Sequence, residues 1–140
     1  MARLLQHGRD KKVSVHLPCR KKSLGKARST VQRLANADGF DPDDAEDIAL
    51  AAQEALKNII QHACPADNTM RFTVSSLGDR LVVEVSDRGQ GFDVETLEEE
   101  PSSPMALHGR GIQLIKGLMD DVSIRSNQTG TVVHMEKMRR

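Results

Sequence analysis

Apolar residues recur in this 140-residue chain with two different periods, and the order of these periods limits the possible folds more than any other feature. A period of two is typical of strands, and a period of three to four is typical of helices. The pattern predicts strands over 13–17, 69–77, 81–87, 121–126 and 131–137, and helices over 21–37, 42–62 and about 112–119. The order is therefore one strand, two helices, two strands, a long loop, a helix and two strands.

This order predicts an α+β fold, a two-layer sandwich in which helices cover one face of a mixed, mostly antiparallel sheet. Residues 1–12 are polar and basic and are predicted to form a loose arm. Residues 13–138 are predicted to form a single domain, because no repeat or linker divides them and the length suits one core.

Composition disfavours several function classes. The chain has 20 Lys and Arg against 20 Asp and Glu, so it lacks the excess positive charge of a typical nucleic-acid binder. Trp and Tyr are absent, which leaves few platforms for base stacking. No stretch is apolar enough to be a signal peptide or a membrane span. We therefore expect a cytoplasmic protein with no membrane or direct nucleic-acid partner.

Cys19 and Cys64 form no metal-binding pair. Reduced thiols are the simplest interpretation, and the alternative of a disulfide between them stays open.

The second predicted helix carries a polar motif of Glu54, Asn58 and His62, which are spaced by four and share one side of the helix. This side lies next to the apolar stripe, where a carboxylate and a carboxamide can face a pocket. The oxygen of Asn58 suits Mg²⁺, and Glu54 can accept a proton from a hydroxyl group. The alternative is a solvated polar face, which is favoured when this motif is considered alone.

A second motif, Asp87-Arg88-Gly89-Gln90-Gly91-Phe92, follows a predicted strand. Period-two alternation places Asp87 at the end of a row of core residues, so its carboxylate needs a donor such as the amino group of a base. Gly89 and Gly91 permit turns and the close approach of a ligand. The alternative is an ordinary exit from a strand, where Asp and Gly are common.

A third motif, Gly109-Arg110-Gly111, is predicted to open the last helix. Glycines at a helix N-terminus expose amide groups to an anion, and Arg110 adds positive charge. The alternative is a glycine-rich loop with an incidental arginine. The loop over 88–109 is unusually long for a compact domain, which is typical of a functional lid. Thr131 shares a strand face with core residues, so its hydroxyl group points inward, toward a ligand or a structural partner.

Together and in this order, the three motifs resemble the N, G1 and G2 boxes of the GHKL superfamily, the ATP-binding fold of gyrase-type, Hsp90-type and histidine-kinase ATPase domains. The resemblance extends from about Val13 to Met138. Within the superfamily, the chain is similar to the stand-alone anti-sigma-factor serine kinases of bacteria. The run Glu-Ala-Leu-x-Asn-x-x-x-His-Ala from Glu54 and the helix after Gly109 carry this closer likeness.

The resemblance implies a role for each motif residue. Asn58 would coordinate Mg²⁺ that bridges the phosphates of ATP, and Glu54 would be the general base toward a serine hydroxyl group. Asp87 would bind the adenine amino group with support from Thr131, and Gly89 and Gly91 would shape the base pocket. The phosphates would be held by Gly109, Arg110 and Gly111. His62 stays open between a supporting and a structural role.

The implied function is that of an ATP-dependent serine-protein kinase that sequesters a sigma factor and phosphorylates an anti-sigma-factor antagonist. The resemblance also implies a homodimer whose partner-facing surface uses the first helix and nearby loops. The alternative is an ATP-gated binding module that switches partners without phosphate transfer; the presence of both Glu54 and Asn58 favours the kinase. The ATPase half of a two-component histidine kinase is less favoured, because no phosphoacceptor helix pair is present. A plain interaction domain would require the motif order to be chance.

Overall fold

The computed structural model describes residues 3–7, 10–62, 68–87, 106–127 and 130–140. The strands are β1 Arg3–His7, β2 Asp10–Pro18, β3 Thr69–Ser76, β4 Arg80–Asp87, β5 Asp121–Asn127 and β6 Gly130–Met138. The helices are α1 Lys22–Ala37, α2 Pro42–His62 and α3 Ala106–Leu118. None of the helices in these ranges is long and apolar enough to cross a membrane.

The strands form one sheet in the order β1-β2-β3-β4-β6-β5. Each pairing between described strands is antiparallel, so the expectation of a mixed sheet is wrong for this part of the chain. A parallel pair would need β5, which follows α3, to lie directly beside β4. Instead β5 forms the outer edge of the sheet, and β6 folds back as a hairpin into the position between them. The predicted α+β class is confirmed.

The N-terminal segment contains a strand where the sequence predicts a loose arm over residues 1–12. β1 pairs with β2 from Arg3 opposite Ser14 to His7 opposite Asp10. An edge strand has a single neighbour and is often rich in charge, so it does not need the apolar alternation of an internal strand. The polar composition of this segment therefore concealed the strand.

The core lies between one face of the sheet and the helices. Phe72 on β3 and Met135 on β6 are fully buried, and they belong to the same cluster as Ile48 and Leu56 of α2. Burial of each large apolar side chain contributes roughly 1.5–3 kcal/mol. Because α2 packs on α1, on α3 and on the sheet, its orientation is fixed by the core, and so is the direction of its polar side chains.

The opposite face of the sheet is polar and holds a histidine between two carboxylates. His134 Nδ1 lies 3.0 Å from Glu84 Oε2, and His134 Nε2 lies 2.8 Å from Glu136 Oε2. The hydrogen bond to Glu84, followed by that to Glu136, raises the pKa of His134 above its usual value of 6.5. The protonated imidazole donates from both nitrogens, so it joins β4 to β6.

We expect this interaction to stabilise the fold in a pH-dependent way. A raised pKa of His134 in the folded state gives stability that is fully present below pH 6.5. This stability is lost as the pH rises through the pKa of His134 in the folded protein. His134→Gln should lower the free energy of unfolding by roughly 0.2–1 kcal/mol at pH 6, since solvent screens the partly exposed group, and by less at pH 8.5. Urea denaturation at the two pH values measures this, and an equal loss at both would contradict it.

Candidate functional site

Helix α2 begins with a cap that sets its register. The backbone oxygen of Asp41 accepts a hydrogen bond from Ala45 N at 2.9 Å, and its side-chain Oδ1 accepts one from Asp43 N at 3.1 Å. Pro42 occupies the first helical position, where its missing N–H group costs nothing. The predicted start at Asp41-Pro42 and end near His62 are both confirmed.

Two side chains of α2 lie against α3. Asn58 is 4% exposed, and the side chain of Glu54 is 16% exposed. The interpretation of a solvated polar face is therefore wrong for both residues. A Cβ atom at Gly111 of α3 would lie 3.3 Å from Asn58 Oδ1 and 3.7 Å from Glu54 Oε2. The absence of a side chain at Gly111 thus allows the backbone of α3 to approach the carboxamide and the carboxylate together.

Helix α3 begins at Ala106, earlier than predicted, so Gly109 and Gly111 lie inside the helix instead of ahead of it. The first four amides of a helix have no carbonyl partner within it. These four amides belong to the cap residue and the first three helical residues, so in α3 they end at His108. The amides of Gly109 and Gly111 are engaged in the helix, as Ala45 N, at the fourth position of α2, is bonded to Asp41 O. The prediction that these glycines expose their own amides is therefore corrected for both; the free amides are those of the residues just before Gly109. The physical reason is that a helix tolerates glycine at a cost of about 1 kcal/mol, so the glycines did not mark a boundary.

The far end of α3 is held by a buried lysine that the sequence analysis missed. Lys137 of β6 is 5% exposed, and its Nζ donates to the carbonyl oxygen of Leu118 at 2.6 Å. The same Nζ lies 3.9 Å from Asp47 Oδ2 of α2. A cation at a helix C-terminus satisfies the last carbonyl groups and complements the helix dipole. Lys137 therefore connects α2, α3 and the sheet, and only the three-dimensional arrangement shows it.

A carboxylate and a hydroxyl group lie side by side on two neighbouring strands, where β4 ends and β6 begins. Asp87 of β4 is the register partner of Thr131 of β6, and the residues are 8% and 0% exposed. Both point to the helical side, as period-two alternation predicts, and Oδ2 of Asp87 is shielded from solvent. Cβ atoms of such partners are roughly 5 Å apart. The pair thus offers a buried acceptor beside a hydroxyl group, which suits an exocyclic amino group.

Several predicted site residues lie outside the described part of the chain. They are Gly89, Gly91 and most of the loop predicted as a lid. The backbone of Arg110 lies in α3 and that of His62 ends α2, but their side chains are not described. The residues that the structure brings together are Glu54, Asn58 and Gly111 in one group, and Asp87 and Thr131 in another.

Comparison with known proteins gives consistent results. The sequence pattern of the histidine kinase-like ATPase domain matches residues 17–137. The serine-protein kinase RsbW of Halalkalibacterium halodurans is 32% identical over 133 residues, which cover 89% of this chain and 82% of that kinase. RsbW of Oceanobacillus iheyensis is 31% identical over 135 residues, covering 89% and 85%.

Solved structures agree in fold. The structure of the RsbU and RsbW domains of Rv1364c from Mycobacterium tuberculosis superposes with a TM-score of 0.68 and 18% identity, over 90% of this chain and 32% of that one. At this identity the likeness concerns the fold alone. The family match covers the motif helix α2, the two strands that carry Asp87 and Thr131, and α3. The chain therefore belongs to the histidine kinase-like ATPase domain family.

Proposed function

We propose that this protein is an ATP-binding anti-sigma factor and serine-protein kinase, which sequesters a sigma factor and phosphorylates an anti-sigma-factor antagonist. The observation that carries the proposal is the contact of Gly111 with both Asn58 and Glu54. It supports the proposal because a carboxamide of the type that binds Mg²⁺ and a carboxylate that can accept a proton lie together beside the N-terminal half of α3. The relatives that are named serine-protein kinases support the same reaction.

The residues fit ATP and Mg²⁺. Asn58 presents a neutral oxygen, the ligand type that Mg²⁺ accepts alongside water and phosphate. A Cβ at Gly111 would crowd Asn58, so the bare glycine lets the carboxamide lie close to the N-terminal half of α3, the end of a helix that favours phosphate. When bound, MgATP supplies the transferable phosphoryl group and neutralises its charge. We infer that Arg110 and the free amides of the first turn of α3, around Gly109 and Gly111, hold the phosphates.

The base end of the nucleotide would lie at Asp87 and Thr131. Asp87 would accept a hydrogen bond from the adenine amino group, and the Thr131 hydroxyl group would orient the carboxylate directly or through water. We infer that Gly89 and Gly91 shape the pocket around the base. The burial of the pair supports this assignment, because a carboxylate hidden from water gains most from a specific donor.

Glu54 would act on the protein substrate. The serine Oγ forms a bond to the γ-phosphorus while the bond from that phosphorus to the departing ADP oxygen breaks. Glu54 accepts the proton of the serine hydroxyl group, so the products are phosphoserine, ADP and a protonated carboxyl group that later returns its proton to water. The small exposure of Glu54 supports this role, since a base shielded from water keeps its direction.

A basic surface on α1 suits an acidic protein partner. Lys22, Lys26 and Arg33 are exposed on this helix, which has no acidic residue. We infer that sigma factor and antagonist bind at this surface. We also infer that the protein is a cytoplasmic homodimer. In each chain, residues 13–138 would form the ATP-binding domain. β1 adds an edge strand to that domain.

Charge reversal tests the surface. The double variant Lys22→Glu/Lys26→Glu should weaken partner binding by roughly tenfold or more at low salt, with a smaller effect at high salt, because ions screen exposed charges. The matched control is Lys12→Glu/Arg71→Glu, which reverses two exposed charges on the uncovered sheet face. Partner affinity is measured by surface plasmon resonance. An equal loss of affinity in both variants would contradict the assignment of the interface to α1.

The kinase reaction itself is tested by transfer of label. The purified protein is incubated with γ-labelled ATP, Mg²⁺ and a panel of candidate antagonist proteins, and labelled products are mapped by mass spectrometry. We expect phosphoserine on one antagonist. If ATP binds and no antagonist gains label, the alternative of an ATP-gated partner-switching module is the better account.

A further inference from the structure

The two oxygens of the Glu54 carboxylate have different surroundings. Oε2 is the carboxylate oxygen nearer to Gly111, at 3.7 Å from the position of an added Cβ. Oε1 lies 3.5 Å from Nζ of Lys57, which is three residues further along α2. The carboxylate is thus held between a cation on one side and the backbone of α3 on the other.

The helix geometry explains this arrangement. Residues three and four positions after Glu54 lie on either side of it on the next turn. Asn58 takes the buried side and is 4% exposed, whereas the Lys57 side chain takes the outer side and is 40% exposed. Lys57 can therefore reach Glu54 without entering the space beside Gly111.

The contact adds little to folding. An exposed ion pair at this spacing makes only a small contribution to helix stability. The same interaction acts on geometry, because a cation on Oε1 favours the side-chain orientation in which Oε2 points toward α3. A base that must accept a proton from a positioned hydroxyl group depends on that orientation.

We propose that Lys57 is a positioning residue for phosphate transfer, which holds Oε1 of Glu54 so that Oε2 faces the reacting serine hydroxyl group. The proposal rests on the kinase function proposed above. It assigns Lys57 no contact with the phosphates, and this distinguishes it from an ordinary phosphate-binding lysine.

The pair is tested first in the nucleotide-free protein. NMR of the lysine side-chain ammonium groups in ¹⁵N-labelled protein should show the Lys57 signal shifting in Glu54→Gln. The matched control is Glu46→Gln, which removes a surface carboxylate from the same helix where it pairs with Arg28. A Lys57 signal that is the same in wild type and Glu54→Gln would overturn the proposal.

Kinetics then separate positioning from phosphate binding. Lys57→Met should lower kcat for serine transfer by roughly two- to fivefold, the population shift that an exposed ion pair can produce, with KM for ATP close to that of wild type. Lys57→Arg should restore most of kcat, because it returns the cation, and Lys12→Met on the sheet should match wild type.

Three other outcomes of these experiments would contradict the positioning role of Lys57. A raised KM for ATP with an unchanged kcat would make Lys57 a phosphate ligand and overturn the positioning role. Unchanged kinetics in Lys57→Met would reduce the contact to a surface ion pair. If the Lys57 signal shifts in Glu54→Gln and the wild type binds ATP but transfers no phosphate, the kinase function is refuted and the positioning role with it, while the ion pair itself stands.

Discussion

Glu54→Gln is expected to lower phosphate transfer to serine by about a hundred- to ten-thousandfold, the usual contribution of a general base. Glutamine has nearly the same shape but cannot take the hydroxyl proton at neutral pH. Since Asn58 and Gly111 keep their contact, the affinity for MgATP should stay within about threefold of wild type. Single-turnover transfer of labelled phosphate measures the first quantity, and calorimetry measures the second.

The matched control for this variant is again Glu46→Gln, which neutralises an exposed carboxylate of α2. It should transfer phosphate at the wild-type rate. If Glu54→Gln transfers at that rate too, another residue is the base. If it instead loses nucleotide affinity, Glu54 holds the nucleotide and does not act on the substrate.

Gly111→Ala is expected to lower the affinity for MgATP by roughly ten- to hundredfold without destabilising the fold. The added Cβ would lie 3.3 Å from Oδ1 and 3.6 Å from Nδ2 of Asn58, so the carboxamide must move from its present position. Alanine also favours a helix over glycine by about 1 kcal/mol, which offsets the crowding. Affinity should therefore fall while thermal stability stays equal or rises, a combination that general damage to the fold does not produce.

Gly117→Ala provides the matched control on the same helix. Among the described residues, no atom apart from the helix's own backbone and the adjacent residues lies within 4 Å of a Cβ at Gly117, so this variant gains the helix propensity without meeting Asn58. It should bind MgATP with wild-type affinity and be slightly more stable. Equal affinity in the two alanine variants would contradict the placement of the phosphates beside Gly111.

Local patterns in the sequence were sufficient for much of the fold. The bounds of α2 follow from Asp41-Pro42 because capping depends on near neighbours alone. The inward direction of Asp87 and Thr131 follows from strand alternation, since the period of two does not depend on tertiary context. The order of the motifs then indicated the family that the comparisons show.

Features that depend on distant parts of the chain could not be predicted. β1 is stabilised by the edge of β2 and carries no clear apolar pattern of its own. The predicted start of α3 is too late in the sequence, because glycines such as Gly111 are typical of a helix boundary. The sequence does not show that Gly111 packs closely on Asn58 inside the helix. Lys137 lacked any sequence signal, since its partners Leu118 and Asp47 come from two other elements. Lys57 had one, the spacing of three from Glu54, but only the structure shows which oxygen it contacts.

The most direct test of the account is a calorimetric titration of the wild-type protein with ATP, once with Mg²⁺ and once with the metal removed by EDTA. With Asn58 at the metal and Gly111 beside the phosphates, we predict saturable binding of one ATP per chain, with an affinity that falls by tenfold or more without Mg²⁺. Binding that does not depend on Mg²⁺ would contradict the role of Asn58. The absence of any binding would mean that the contact of α2 with α3 serves the fold alone.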